Sequence, residues 1–378
     1  MKFVLAPDSF KETMTAAVAA RIMSAAVREV FPDAECVEVP MADGGEGTTQ
    51  SLVDALGGQL ITVDVVDALG RPHLASFGWI EAERLAVVEI AQAAGLENIK
   101  PEERNPRLAA TRGVGQLLTH VLDLDPARMI VGLGGSATND GGWGMARELG
   151  VKVSDINGKP IGAHALDLQQ GATIDLSGLS AKWADIDMTL ACDVDNPLVG
   201  EYGASAVFGP QKGVRESEIA IFDSAMQHWG ELLEYATGCH VLTTPGAGAA
   251  GGLGAAFLSL FNARIERGID LVISTVNLVE TMSGADYVFT GEGSMDLQTR
   301  FGKTPWGVML AARAQGIPTI AFTGQLNREA DSLHEQGFAA IVPTVRSVGT
   351  LQEALAQART NLYDSVRMTC RIIASRHS

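Results

Sequence analysis

The sequence is poor in cysteine, in basic residues and in long apolar runs, and each scarcity excludes a class of protein. The four cysteines among 378 residues lie far apart without a C-x-x-C spacing, which disfavours a zinc site or a disulfide framework and favours a reducing, cytoplasmic location. Lysine and arginine total 28 against 45 acidic residues, and the net charge of −17 argues against a nucleic acid partner. No apolar run is long enough to cross a membrane, and Pro7 and Asp8 arrive before a signal peptide could form.

The remaining composition indicates a folded protein with binding loops. Hydrophobic residues make up 46% and charged residues 19% of the chain, and the length of 378 residues favours two domains. Glycine is in excess: 42 of the 378 residues, about 11%, are glycine, against the ~7% that is typical. Much of this excess lies in a few clusters that follow apolar segments, which is typical of loops that approach a ligand closely.

The most informative stretch runs from residue 129 to 143. It predicts the end of a buried strand, then a glycine loop, then a helix over residues 142–149. Glycines and the N–H groups at a helix start favour a bound anion, and Asp140 adds a carboxylate that can hold a cation. The same spacing fits a dinucleotide fingerprint, and a tight capped turn without function is the competing interpretation.

Other loops repeat this order of strand, polar loop and helix. The carboxyl ends of parallel strands are where α/β proteins collect ligands, so these loops are candidate site segments. They carry, in chain order, Asp8, Ser9, Lys11, Asp43, Asp193, Asp195, Lys212 and, in a loop predicted after Thr290, Glu292. Thr15 is a candidate cap of the first helix, and Thr350 with Glu353 predicts a capping box at the start of the last helix.

Three further signals are weaker. A literal G-x-G-x-x-G spans Gly246 to Gly251, but close helix packing explains it as well as a cofactor does. A P-loop ending at Lys303 is excluded because Leu297 stands where glycine is required, although Lys303 can still reach a phosphate from the start of its helix. Arg112 is a candidate cation for a carboxylate or phosphate.

Seven glycine-rich or acidic motifs, taken in order, resemble the type-1 family of bacterial glycerate kinases over essentially the whole chain. They are Ala6-Pro7-Asp8-Ser9-Phe10-Lys11, Ala42-Asp43-Gly44-Gly45-Glu46-Gly47-Thr48, Gly134-Gly135-Ser136-Ala137-Thr138-Asn139-Asp140-Gly141-Gly142, Ala191-Cys192-Asp193-Val194-Asp195-Asn196-Pro197-Leu198, Phe208-Gly209-Pro210-Gln211-Lys212-Gly213, Pro245-Gly246-Ala247-Gly248-Ala249-Ala250-Gly251-Gly252 and Thr290-Gly291-Glu292-Gly293.

The resemblance implies a two-domain α/β fold and a phosphoryl transfer. A flavodoxin-like parallel-sheet domain would comprise residues 1–65 and 285–378, and residues 66–284 would form an inserted mixed α/β domain. The reaction would transfer the γ-phosphoryl group of ATP, with Mg²⁺, to D-glycerate at the 2-hydroxyl, with the 3-hydroxyl as the alternative. The partners would be these small molecules, without nucleic acid or membrane, and a homo-oligomer is compatible with the sequence.

Residue type and loop position then give each candidate a role. For ATP the candidates are Gly134, Gly135, Ser136, Ala137, Thr138, Gly291, Glu292, Gly293 and Lys303. Mg²⁺ would be held by Asp43, Asp140 or Glu292. For catalysis we expect Asp193 to accept the hydroxyl proton, with Asp195 as the alternative, and Lys11 and Lys212 to bind the glycerate carboxylate or the transferring phosphoryl group. For glycerate the further candidates are Asp8, Ser9, Arg112 and Asn139.

Two positions depart from the family pattern, and two rival functions stay open. Ser294 stands where many relatives carry arginine, and Gln116 stands where glutamate is frequent. The rivals are a nicotinamide-dependent hydroxy-acid dehydrogenase, which the fingerprint-like glycine runs suggest, and a non-catalytic nucleotide or organic-acid sensor. Several acidic loops fit metal-dependent transfer better than either rival.

Overall fold

The computed structural model describes residues 1–327 and 332–375. The chain forms two compact units. Unit 1 comprises Met1–Asp43, Gln50–Gly58 and Gly268–Ser378, and unit 2 comprises Gly44–Thr49 and Gln59–Arg267.

The bounds of the strands and helices are as follows. The strands are β1 (Lys2–Leu5), β2 (Glu35–Glu38), β3 (Gln59–Val66), β4 (Pro72–Ile80), β5 (Leu85–Glu89), β6 (Arg128–Gly132), β7 (Lys152–Ser154), β8 (Thr173–Asp175), β9 (Asp187–Ala191), β10 (Arg264–Glu266), β11 (Tyr287–Met295), β12 (Thr319–Leu326) and β13 (Phe338–Pro343). The helices are α1 (Ala16–Val30), α2 (Thr48–Leu56), α3 (Ala91–Ala94), α4 (Arg112–Leu122), α5 (Trp143–Glu148), α6 (Ala204–Val207), α7 (Ile219–Thr237), α8 (Ala249–Leu260), α9 (Gly268–Thr275), α10 (Leu278–Thr281), α11 (Thr304–Ala314) and α12 (Leu351–Ala374).

Unit 1 contains a parallel sheet in the order β2-β1-β11-β12-β13. Counted within the unit this is 2-1-3-4-5, the flavodoxin order, so the predicted fold class is confirmed. Each strand pairs in parallel with its neighbour, and β1 lies between β2 and β11.

Helices pack against this sheet through apolar side chains. Phe289 and Phe322 of the sheet belong to one buried cluster with Met23 of α1 and Leu362 of α12. Ala321, the strand neighbour of Phe322, belongs to a second cluster that includes Met309 of α11. Adjacent strand residues therefore pack in different clusters, as expected for a sheet covered by helices on both faces.

The ends of two long helices follow the local sequence rules. Thr15 accepts a hydrogen bond from the Val18 N–H at the start of α1. Thr350 and Glu353 form the predicted capping box at the start of α12. Short-range capping chemistry thus defines where the helices that cover unit 1 begin.

Unit 2 contains a mixed sheet in the order β10-β9-β6-β5-β4-β3. β3, β4 and β5 pair antiparallel, whereas β5, β6, β9 and β10 pair in parallel. β3 pairs with β4 along all of Gln59–Val66, so the whole of β3 lies in unit 2, to which residues 44–49 also belong, whereas the predicted boundary stood at residue 66. At the other boundary, α9 and α10 belong to unit 1, which begins again at residue 268 and not at 285.

The part of the chain that the structure describes contains no helix with the length and apolarity needed to cross a membrane.

Candidate active site

The parallel strands of unit 2 end at one edge of the sheet. Glu89 of β5, Gly132 of β6 and Ala191 of β9 lie opposite one another in register. The segments that follow β6 and β9 therefore leave the sheet side by side. One segment carries the glycine loop, and the other carries Asp193 and Asp195, both of which are exposed.

The glycine loop presents backbone at its tip. Gly134 and Gly135 are exposed, and Gly135 has a φ of +72°, a conformation that favours glycine. The Gly135 carbonyl accepts a hydrogen bond of 2.8 Å from the Leu96 N–H, and the Ala137 N–H donates one of 2.8 Å to the Ala94 carbonyl. The loop is thus anchored on both sides of an exposed glycine turn, which suits contact with an anion.

Lys212 supports this loop from the protein interior. Its side chain is only 2% exposed, and its Nζ donates to Ser136 Oγ at 2.6 Å and to the Thr138 carbonyl at 2.7 Å. Burial lowers the pKa of Lys212 to about 7, and the charge of Asp140 opposes this shift. Lys212 is therefore a positioning residue of the loop in this structure, and the hypothesis of direct contact with substrate does not fit its burial.

Asp140 does not have the environment of a metal ligand. It is 0% exposed, and its carboxylate accepts hydrogen bonds from Thr111 N–H at 2.8 Å, Thr111 Oγ1 at 2.9 Å, Gly144 N–H at 3.1 Å and Gly142 N–H at 3.2 Å. Burial raises its pKa, and these hydrogen bonds lower it. The carboxylate joins the glycine loop to the starts of α4 and α5, which is a structural task.

Thr138 and Asn139 are also buried behind the loop, with 0% exposure each. Asn139 Nδ2 donates to Ser205 Oγ at 2.9 Å. Asn139 Oδ1 and Thr138 Oγ1 have no hydrogen-bond partner. The predicted glycerate contact of Asn139 does not fit this position, because its amide faces the interior.

Glu89 is a site-forming residue that the sequence did not indicate. Its carboxylate accepts hydrogen bonds from the Thr49 N–H at 2.7 Å and the Gly47 N–H at 3.3 Å, and burial raises its pKa. It holds the 44–49 segment beside the glycine loop, where a Cβ on Gly132 would lie 3.1 Å from the Gly44 carbonyl oxygen. In the sequence Glu89 only ends an apolar strand, so nothing distinguished it.

Arg112 points away from the tip of the glycine loop. Its Nε contacts Glu148 Oε2 at 3.0 Å, and it lines a separate cavity of about 480 Å³ with Arg147 and His164. Gln116 accepts a hydrogen bond of 2.9 Å from the Val66 N–H and donates one of 3.3 Å to Glu148. Gln116 therefore connects α4 with the end of β3 and with α5.

The Gly246 to Gly251 run serves packing. A Cβ on Gly251 would lie 2.0 Å from the Thr138 carbonyl oxygen, and a Cβ on Gly248 would lie 2.1 Å from the Pro197 carbonyl oxygen. Gly251 also has a φ of +70°. These glycines allow α8 to approach the glycine loop, so the fingerprint spacing does not indicate a dinucleotide here.

In unit 1, Asp8 lies at the carboxyl end of β1. It accepts hydrogen bonds from the Thr304 hydroxyl and, at 2.6 Å, from the Ser9 N–H. Burial and, to a smaller extent, the nearby charge of Asp43 raise the pKa of Asp8 to about 6, against the opposing effect of its hydrogen bonds. The structure thus brings Asp8, Ser9 and Asp43 together.

Glu292 lies in a strand and not in the predicted loop. Gly291, Glu292 and Gly293 are part of β11, which continues to Met295 in register with Leu326 of β12. Glu292 contacts Lys303 Nζ at 3.3 Å and accepts a hydrogen bond of 3.2 Å from Thr299 Oγ1.

Burial raises the pKa of Glu292 to about 7. The charge of Lys303 opposes this shift, and the charge of Asp8 adds to it. Three carboxylates, Asp8, Asp43 and Glu292, are therefore coupled in unit 1. Two of them are costly to ionise in the absence of a cation.

Two remaining candidates of unit 1 lie next to these carboxylates. Lys303 Nζ contacts Glu292 and also donates to the Ser294 carbonyl at 3.4 Å. A positive charge therefore lies next to position 294, although serine stands there where many relatives carry arginine. Lys11 is exposed, and a Cβ on Gly293 would lie 3.5 Å from its backbone nitrogen. Lys303 thus supplies positive charge beside Glu292, and the Lys11 backbone lies next to Gly293.

A metal ion at this position would need ligands from a bound phosphate group or from water in addition to the protein carboxylates. Within residues 1–327 and 332–375, no group of three His, Cys, Asp or Glu side chains is arranged to hold a metal ion. Mg²⁺ usually binds through one or two carboxylates together with phosphate oxygens and water. The coupled carboxylates of unit 1 fit this incomplete type of site.

Glycine turns and carboxylates at the carboxyl ends of parallel strands make this chain an α/β enzyme of the kind that handles phosphate groups. A model of the glycerate kinase family matches residues 3–374, and the chain belongs to that family.

Individual relatives support this assignment. The chain is 44% identical to a glycerate kinase of Halalkalibacterium halodurans, over 96% of each chain. It is 41% identical to the glycerate 2-kinase of Escherichia coli, over 99% of this chain and 97% of the relative. A crystal structure described as a candidate glycerate kinase 2 from Salmonella typhimurium LT2 matches with a TM-score of 0.92 and 38% identity, covering 100% of this chain and 99% of that one. The predicted family is confirmed, and no finding supports a dehydrogenase.

Proposed function

We propose that the protein transfers the γ-phosphoryl group of ATP to the 2-hydroxyl of D-glycerate in the presence of Mg²⁺, giving 2-phospho-D-glycerate and ADP. The observation that carries the proposal is the shared register of Gly132 and Ala191, because it brings an exposed glycine turn beside an exposed aspartate. The name of the Escherichia coli relative, glycerate 2-kinase, favours the 2-hydroxyl over the 3-hydroxyl.

In this proposal the glycine turn binds phosphate through its backbone. Gly134 and Gly135 offer N–H groups, and Ser136, Ala137 and Thr138 keep the turn in shape through Lys212 and the Ala94 carbonyl. Lys212 thereby acts on phosphate through the loop. Gly291 allows close approach of the neighbouring β12 backbone within unit 1, Gly293 lies beside the Lys11 backbone, and Lys303 is the cation that contacts Glu292.

Asp193 accepts the proton of the attacking hydroxyl. It is exposed at the end of β9, whereas Asp140 is buried and has four hydrogen bonds from the protein. The hydroxyl oxygen forms the new bond to the γ-phosphorus, the bond to the bridging oxygen breaks, and ADP leaves. Asp195, two residues further on and also exposed, is the alternative base.

Asp43 and Glu292, with Asp8, would hold Mg²⁺ directly or through water. When bound, the ion neutralises charge on the phosphates. Glu292, whose pKa is raised to about 7, would give up a proton at neutral pH in exchange for the cation, and Asp8, whose pKa is raised to about 6, would do so in more acidic solution. Ser9 donates its N–H to Asp8 and orients that carboxylate.

The proposal is tested by ³¹P NMR of purified protein with Mg²⁺, ATP and D-glycerate. A 2-phosphoglycerate signal with matching ADP is the expected result, and a reaction without glycerate serves as the control for ATP hydrolysis. A 3-phosphoglycerate signal would contradict the regiochemistry, and intact ATP with folded protein would contradict the reaction.

A further inference from the structure

Unit 1 contains a cavity of about 550 Å³ to which the proposed function has not assigned a ligand. Its lining includes Phe10, Lys11, Gly293, Thr344 and Asn361, together with apolar side chains of α12. The volume lies within the range of about 300–1,000 Å³ that is typical of small-molecule pockets.

The cavity lies at the point of the sheet where ligands collect. In a sheet of order 2-1-3-4-5, the strand order reverses between the first and third strands, which here are β1 and β11. Phe10 and Lys11 follow β1, and Gly293 lies near the end of β11. The other lining segments, 324–326 and 343–345, belong to or follow the next strands at the same edge.

The two sides of the cavity differ in character. On one side lie Lys11 and Gly293, and the positive charge of Lys11 suits an anionic group. On the other side, α12 contributes the apolar side chains of Leu351, Ala354, Leu355 and Ala358. A ligand that fills the cavity is therefore flat or apolar at one end and anionic at the other.

Polar groups on the apolar side are few. Asn361 is 8% exposed and Thr344 is 3% exposed, and both line the cavity. An asparagine amide carries a donor and an acceptor, the pair that matches the N7 and N6 edge of adenine. Neither residue adds charge, which suits a neutral purine base.

We propose that this cavity binds the adenine and ribose of ATP, with the phosphates directed toward Lys11 and Gly293. The choice of nucleotide rests on the proposed function. Phe10 and the α12 side chains contact the base, and Asn361 recognises its edge.

The test fills the cavity without touching the phosphate end. Ala358→Trp places a large side chain in the lining, and Ala356→Trp on the exposed face of the same helix is the matched control. Calorimetric titration with ADP and with tripolyphosphate, after thermal unfolding has verified both variants, separates the two ends. We expect Ala358→Trp to weaken ADP binding at least tenfold and to leave tripolyphosphate binding within twofold, with both affinities unchanged in the control.

Equal ADP affinity in Ala358→Trp and the control would overturn the inference. Should Ala358→Trp not fold, Asn361→Leu provides the second arm, in which the affinity ratio of ADP to GDP falls at least threefold; an unchanged ratio overturns the inference. Neither titration contains glycerate. Failure of this subsite is therefore distinct from failure of the proposed reaction, which the ³¹P NMR experiment reports by itself.

Discussion

Unit 2 and unit 1 both bury carboxylates, but the two units differ in how many hydrogen bonds these carboxylates receive from the protein. Asp140 in unit 2 receives four hydrogen bonds from the protein, so its charge is met internally. Asp8 and Glu292 in unit 1 receive fewer donors. Burial raises the pKa values of both, and neighbouring negative charges contribute, that of Asp43 at Asp8 and that of Asp8 at Glu292. A buried carboxylate that the protein satisfies supports the fold, and one that it leaves unsatisfied is available to a cation.

The largest effect is expected where unit 2 exposes a carboxylate. Asp193→Ala should reduce kcat by about 10²–10⁴-fold, because a positioned base of this kind contributes that much, while the KM for ATP stays within about twofold. Steady-state kinetics measure both. Asp195→Ala is the control, and a larger loss of kcat in that variant would transfer the role to Asp195.

Next in size is the loss of the buried carboxylate of unit 2. Asp140→Ala should lower the free energy of unfolding by about 3 kcal/mol, because several buried donors lose their acceptor. Urea unfolding measures this change, and Asp185→Ala, an exposed position in the same unit, is the control. If Asp140→Ala were as stable as the unmodified protein but bound Mg²⁺ more weakly, Asp140 would be a metal ligand and not a structural carboxylate.

A smaller effect, on cation binding alone, is expected in unit 1. Glu292→Gln should raise the Mg²⁺ concentration for half-maximal activity about tenfold, because an anionic ligand is lost. Its thermal unfolding should change little, because the neutral amide avoids the cost of burying charge. Glu280→Gln, exposed on α10, is the control. An unchanged Mg²⁺ requirement would remove Glu292 from the metal site.

The smallest effect is a pH dependence. Asp8 and Glu292 keep their protons to about pH 6 and about pH 7 in the folded state, whereas in the unfolded chain they lose them near ~4. The folded state thus holds more protons between these values, so stability should fall as the pH rises from about 4 to about 7.

Mg²⁺ should restore that stability and bind more tightly at pH 8 than at pH 6, by roughly threefold to tenfold, because it displaces protons. Thermal unfolding with and without Mg²⁺ at both pH values measures this difference. In Glu292→Gln the change in Mg²⁺ binding between pH 6 and pH 8 should become smaller. A change as large as in the unmodified protein would show that other groups release the protons.

The sequence predicted those parts of the molecule that depend on short-range patterns. The caps at Thr15 and Thr350 and the strand before the glycine loop follow from neighbouring residues, and the fold class followed from strand, loop and helix order with the family resemblance. The internal hydrogen bonds of Asp140 could not be predicted from neighbouring residues, because one of its partners, Thr111, lies 29 residues away in the chain.

Other differences have the same origin. Glu292 was assigned to a loop, but pairing with β12 extends the strand through it, and a glycine-rich sequence gives no sign of that pairing. The buried Lys212 donates to the Ser136 hydroxyl and the Thr138 carbonyl, both more than 70 residues earlier in the chain. The local sequence, a lysine next to a glycine, does not indicate whether the lysine side chain is exposed or buried.

The position of β1 has a consequence for synthesis. β1 is an inner strand of its sheet, yet one of its two neighbours, β11, begins at residue 287. During translation β1 can pair with β2 early, but its other neighbour, β11, is made only after residues 59–267 of unit 2. Most of unit 2, residues 59–267, is made as one continuous segment in that interval. Until β11 follows, one edge of β1 is unpaired and exposed to chaperones or to aggregation.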